Sequence, residues 1–205
     1  MFPDISCDDI FRLETPRLWL RWLRVGDATA VAALPGARSV LSEAPGAMSA
    51  PNSGEVERFI LAARTATASG DALVLGATGK AKTRTLVGVL AAHARNHGEL
   101  ELRSAFAPTQ AGRELAGEAL AALADTCFNL TNARTLFTSI GDEHSKSDDL
   151  YDRLGFATGA DTALVRLERH DWARGRAHRL PDMPHQAGRD HAPRSRSGDG
   201  GEDSL

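Results

Sequence analysis

The stretch AFAPTQAGRELAGEALAALADTCFNL, residues 105–130, reads as the end of a strand, a short turn and one long helix. Pro108 cannot donate to a sheet ladder and so closes the strand, and Gly112 supplies backbone freedom where the helix begins. Leu115, Ala119, Leu120, Leu123 and Cys127 then recur at spacings of three and four, which makes one apolar helix face. A strand feeding a glycine turn at a helix N-terminus leaves backbone N–H groups pointing one way, a cradle suited to phosphate. The same arrangement is ordinary scaffolding in α/β proteins, so taken alone it is structural before it is functional.

The chain has 205 residues, 42% of them apolar by type and 25% charged, with a formal charge of −3. One substantial core fits that length, and two full domains would be cramped. Nearly balanced charge points away from a general nucleic-acid or membrane surface. Cys7 and Cys127 have neither metal-ligand spacing nor the density of a disulfide scaffold, which fits a reducing compartment. The opening MFPDISCDDIF lacks a basic start and a long apolar run, and no segment approaches the ~18 apolar residues of a membrane span. The expectation is a cytoplasmic protein.

Along the chain, Leu18, Leu20 and Trp22 alternate with Arg17, Trp19 and Arg21 as a strand with one wet face. Asp27 is placed to cap a short helix over Ala28 to Leu34, and residues 36–54 read as a long loop of the kind that often carries function. Ser53 is the expected cap of the next helix, whose stripe is Val56, Phe59, Ile60 and Ala63. Strands follow at 72–75 and 86–92, joined by a connection whose Lys80, Lys82 and Arg84 read as a solvated hairpin tip. Residues 93–98 read as a turn, and 99–107 as the strand that enters the opening stretch. After the long helix come a strand at 134–140, a polar junction, a short helix over 146–154 ended by Gly155, and a last strand region. Residues 174–205 are nearly free of large apolar groups, and their histidines His178, His185 and His191 are irregularly spaced. The expected organisation is an N-terminal extension (1–10), one domain (11–173) and a disordered tail (174–205).

Several segments, in order, resemble the GNAT N-acetyltransferases, in particular the branch containing the ribosomal-protein alanine N-acetyltransferases RimJ and RimL. They are LETPRLWLRWLRVGDA, PNSGEVERFI, ELELRSAFAPTQAGRELAGEAL, HSKSDDLYDRLGF and VRLERHDW. The resemblance spans roughly residues 11–172. It implies an α+β fold, a curved, mostly antiparallel mixed sheet of about six to seven strands flanked by about four helices. It also implies acetyl-CoA as acyl donor, entering where the fourth and fifth strands splay apart. The pantetheine would pair with backbone near Phe106 and Ala107, and the pyrophosphate would sit on the turn formed by Ala111, Gly112, Arg113, Glu114, Leu115, Ala116 and Gly117. Ser147 matches the family serine, and His144 stands where the family has an asparagine, either a pantetheine contact or an ordinary loop histidine.

The implied reaction is direct attack of a primary amine on the thioester, with a base for the amine and an acid for the departing thiolate. Tyr151 matches the family tyrosine that faces the sulfur, with packing on its helix as the bland alternative; Glu101 matches an acidic residue on the fourth strand, where solvent exposure is the alternative. The acceptor is an amine, either a protein N-terminus or a small molecule, and the state is monomer or homodimer. Two departures stand out, the first being Ala111 where the family loop has glutamine or arginine, with Gln110 one residue away. The family loop has a glycine where this chain has Glu114, whose carboxylate brings charge toward a polyanion. The chain therefore reads as an N-acetyltransferase with an altered cofactor loop, or alternatively as a GNAT-fold binding or regulatory protein that has lost catalysis.

Overall fold

The computed structural model describes residues 11–41, 52–80, 85–139, 148–159 and 163–179. Within them lie eight strands and six α-helices. In chain order these are β1 (Arg12–Glu14), β2 (Leu18–Trp22), α1 (Ala28–Ala32), α2 (Ala37–Leu41), α3 (Ser53–Ala68), β3 (Ala72–Gly79), β4 (Leu86–Ala94), β5 (Glu99–Phe106), α4 (Gln110–Leu130), β6 (Thr135–Ser139), α5 (Asp148–Leu154), β7 (Ala157–Thr158), β8 (Leu164–Glu168) and α6 (Arg169–Arg179). They form one sheet in the order β1-β2-β3-β4-β5-β6-β8-β7, antiparallel at every junction except β5 and β6. The expected mixed, mostly antiparallel sheet is present. It has more strands than expected because the three-residue β1 and the two-residue β7 are too short to leave a periodic signal.

Alternation along the strands makes two apolar faces. Leu20, Leu75, Leu90, Leu102 and Leu136 point to one side, where the α4 stripe of Ala119, Leu120, Leu123 and Cys127 covers them. Val74, Val89, Ala91 and Ala105 point to the other, beneath Val31 of α1, Val40 of α2 and Val56 and Ile60 of α3. Both faces are dry, so the central strands carry apolar residues almost continuously rather than in alternation with polar ones.

Several local expectations change. The cap of α3 is Asn52 rather than Ser53: its side chain accepts from the Glu55 N–H at 2.9 Å, and Glu55 returns to the Asn52 N–H at 3.0 Å. β3 and β4 run longer than their apolar cores, so the hairpin connection is shorter than expected. Lys80 does not lie at a solvated tip: it pairs with Glu14 at 2.5 Å and stands over the Trp19 ring, which Arg12 also covers. Lys82 and Arg84 lie outside the described residues. α6 continues to Arg179, into the stretch whose composition suggests a tail. It docks through Trp172, whose ring lies 6.3 Å from that of Phe128 and whose Nε1 donates to Asp125.

Candidate active site

β5 and β6 pair only from Glu99 with Thr135 to Glu101 with Phe137. Beyond that level β5 continues to Phe106 and β6 to Ser139 without pairing to each other. The edge of β5 is thereby opened toward β6, which is where an extended ligand can add to a sheet. Ala107 still donates to the Val87 carbonyl at 3.0 Å, and the Phe106 ring lies over Gly88, where a Cβ would come within 2.4 Å of it. The Phe106 side chain therefore covers β4, leaving backbone at this position for the opening.

Tyr151 reaches the opening from α5. Its hydroxyl hydrogen-bonds with Ser104 and Thr138, one residue from each diverging strand, and its ring meets Phe156 edge-on at 5.5 Å. Burial pushes the phenol above its ordinary pKa, against the pull of the two hydrogen bonds, so it stays protonated at neutral pH. Gly155, at φ +87°, ends α5 and lets the chain turn so that Phe156 comes under the ring.

Glu101 lies on the opposite sheet face. One carboxylate oxygen takes Arg95 at 2.7 Å, the other takes Arg103 at 2.7 Å, and Arg103 also donates to the Ser39 carbonyl in α2 at 3.1 Å. Burial raises the Glu101 pKa, but the hydrogen bonds from Arg103 and Arg95 outweigh it and hold the carboxyl below its ordinary range. A carboxylate held this way is a poor proton acceptor.

The turn before α4 differs in one respect from the cradle read in the sequence. Thr109 is the cap, and its Oγ1 accepts from the Gly112 N–H at 3.0 Å, so that donor is already used. Helix geometry leaves the N–H groups of Gln110 and Ala111 for a ligand, whereas those from Arg113 to Gly117 bond within the helix. The need for glycine at 112 is close approach rather than freedom of φ: a Cβ there would lie 2.0 Å from the Ala107 carbonyl oxygen. Leu115 packs on the core, Ala116 is buried, and Gly117 sits so near α5 that a Cβ would lie 2.9 Å from Leu150. The side chains of Ala111 and Arg113 lie outside the described residues, as do His144 and Ser147. Glu114 is turned to the flank of the helix, 3.4 Å from Arg17, which itself anchors to Glu118 at 2.7 Å.

His93 is a buried ionisable residue beside Glu101 that the sequence reading misses. It belongs to β4 rather than to a turn and is only 6% exposed. Extending the alternation of Val89 and Ala91 by one more step would have placed it facing inward. Ser104, Thr138, Arg95 and Arg103 carry no such signal, because their roles depend on partners brought in from other strands and helices.

The acetyltransferase (GNAT) domain profile matches residues 17–157. No curated protein sequence matches the chain significantly. Among solved structures, RimJ of Mycobacterium smegmatis in complex with CoA-disulfide superposes with TM-score 0.65 at 20% identity, over 87% of this chain and 97% of that one. The ribosomal-protein-S5-alanine acetyltransferase of Vibrio fischeri gives TM-score 0.63 at 14% identity, over 79% and 98%. The spermidine/spermine N-acetyltransferase SpeG of Vibrio cholerae gives 0.60 at 15% identity, over 79% and 99%. At these identities the likeness is one of fold.

Proposed function

The chain belongs to the GNAT acetyltransferase family, and on that premise we propose that it transfers the acetyl group of acetyl-CoA to a primary amine by direct attack. The observation that carries the reading is the Tyr151 hydroxyl, held by Ser104 and Thr138 at the opening between β5 and β6. The pantetheine runs along the open edge of β5, past Phe106 and Ala107, with the pyrophosphate at the N–H groups of Gln110 and Ala111. The amine nitrogen bonds to the thioester carbon and the C–S bond breaks. Tyr151 gives its proton to the departing thiolate, a transfer that suits a phenol kept neutral by burial.

The alternative, a GNAT-fold protein without catalysis, rests on Glu114, and that carboxylate is paired with Arg17 on the flank of α4. Nothing else in the described site favours it. For the acceptor, the likeness to RimJ and to the S5-alanine enzyme favours a protein N-terminal amine, and the likeness to SpeG keeps a small amine as the comparison.

The test is thiol release from acetyl-CoA against a panel of N-terminal peptides and polyamines, run beside Tyr151→Phe. Removing the phenolic proton lowers kcat on the order of 10²-fold, with acetyl-CoA affinity unchanged. An unaltered kcat would remove Tyr151 as the acid, and no release with any amine would sink the reading itself.

A further inference from the structure

Direct attack needs a group to take the amine's proton, and the sheet carries one beneath α2, on the face opposite Tyr151, that the family resemblance does not point to. Glu101 is the residue that the resemblance suggests, but both of its oxygens are held by guanidiniums. Directly across the β4–β5 pair from Glu101 stands His93. The two therefore share one level of the sheet and one face, just where β5 and β6 begin to part.

The tautomer of His93 follows from its partners. The ring hydrogen-bonds to the Val40 backbone in α2, while Nε2 is buried and has no hydrogen-bond partner among the described residues. Nδ1 is thus the donor to the Val40 carbonyl, and Nε2 carries the free lone pair. The charged groups acting on the ring are Arg103 and Arg95, which oppose its protonation, and Glu101, which favours it; α2 contributes the Val40 carbonyl. Burial and the two arginines outweigh the rest and keep the imidazole neutral. A buried acceptor left without a donor costs free energy unless some other molecule completes it.

We infer that Nε2 of His93 is the proton acceptor for the attacking amine, an inference that rests on the acetyltransferase reading. As the amine nitrogen bonds to the thioester carbon, it gives one proton to Nε2, and the sulfur receives one from Tyr151. The proton lost by nitrogen is matched by the proton gained by sulfur. Glu101 and Arg103 then act as positioning residues. They hold the His93 environment and, through the Ser39 carbonyl, the middle of α2 beside it.

The experiment compares the parent with His93→Asn, because the asparagine amide keeps a donor for Val40 but has no acceptor at the Nε2 position. The inference expects His93→Asn to lose about 10²-fold in kcat/KM for the amine, with acetyl-CoA affinity and thermal midpoint near those of the parent. In the parent, the plot of log kcat/KM against pH steepens from about one to about two below the His93 pKa, whereas the variant keeps a slope of about one. An active parent beside an equally active His93→Asn overturns the inference and leaves His93 as a clamp on α2. A parent that releases no thiol with any amine overturns the acetyltransferase reading as well.

Discussion

Glu114 is where charge and geometry pull in different directions. A carboxylate in the second turn of α4 lies past the reach of the helix dipole's first turn, yet its charge opposes a bound pyrophosphate. Its side chain is 55% exposed and lies 3.4 Å from Arg17, so solvent and a counter-charge both screen it. Glu114→Gly is therefore expected to tighten acetyl-CoA by less than about fivefold by calorimetry. A gain beyond about tenfold would mean that the carboxylate faces the phosphates. The resemblance implies that a charge stands where the family has a glycine, but not where it points, because its partner Arg17 lies 97 residues away in the chain. The same limit applies to Tyr151: its place five residues before Phe156 is legible, while its partners Ser104 and Thr138 belong to other strands.

Elements were easier to read than their ends. The α4 stripe and the strands around it follow from periodicity, since α4 must cover one sheet face and presents Ala119, Leu120, Leu123 and Cys127 to it. The ends depend on single side chains. Thr109 takes the capping role, and Gly112 is held under the Ala107 carbonyl. Gly112→Ala is accordingly expected to displace the first turn of α4, lowering acetyl-CoA affinity more than Glu114→Gly alters it, as calorimetry on both variants would check. A change confined to thermal stability would separate the turn from the binding site. At α3, Asn52→Ala removes the cap and half of a reciprocal pair with Glu55, an expected loss of about 1 kcal/mol in urea unfolding. The run of α6 past residue 173 is not legible, because the helix docks through Trp172 and through Arg169, which donates to the carbonyls of Phe128, Thr131 and Ala133, while the residues after 173 are polar or small.

Over the whole molecule, the sheet is dry on both faces, yet it holds ionisable groups whose burial ties stability to pH. Burial raises Asp27, Glu101 and Glu118, but hydrogen bonds outweigh it in each: from Arg21 and the Arg24 N–H at Asp27, from Arg103 and Arg95 at Glu101, and from Thr15 and Arg17 at Glu118. A carboxyl with a lowered folded pKa contributes stability above its unfolded value, near ~4, and that contribution is lost as pH falls through the folded value. His93 is also lowered, first by burial and then by Arg103 and Arg95, so the unfolded chain binds its proton first as pH falls. Its contribution is complete above the ordinary histidine value of ~6.5 and declines below it toward the lower folded value. The thermal midpoint is therefore expected to fall in two stages on acidification, one beginning near pH ~6.5 and a steeper one below pH ~4.5. His93→Asn removes the first stage and leaves the second, since asparagine has no proton to gain and the carboxylates keep their partners. Scanning calorimetry from neutral pH down to about pH 3 on parent and variant reads both stages. An upper stage that persists in the variant would assign it to another histidine and show that the imidazole beneath α2 is not kept neutral by the fold.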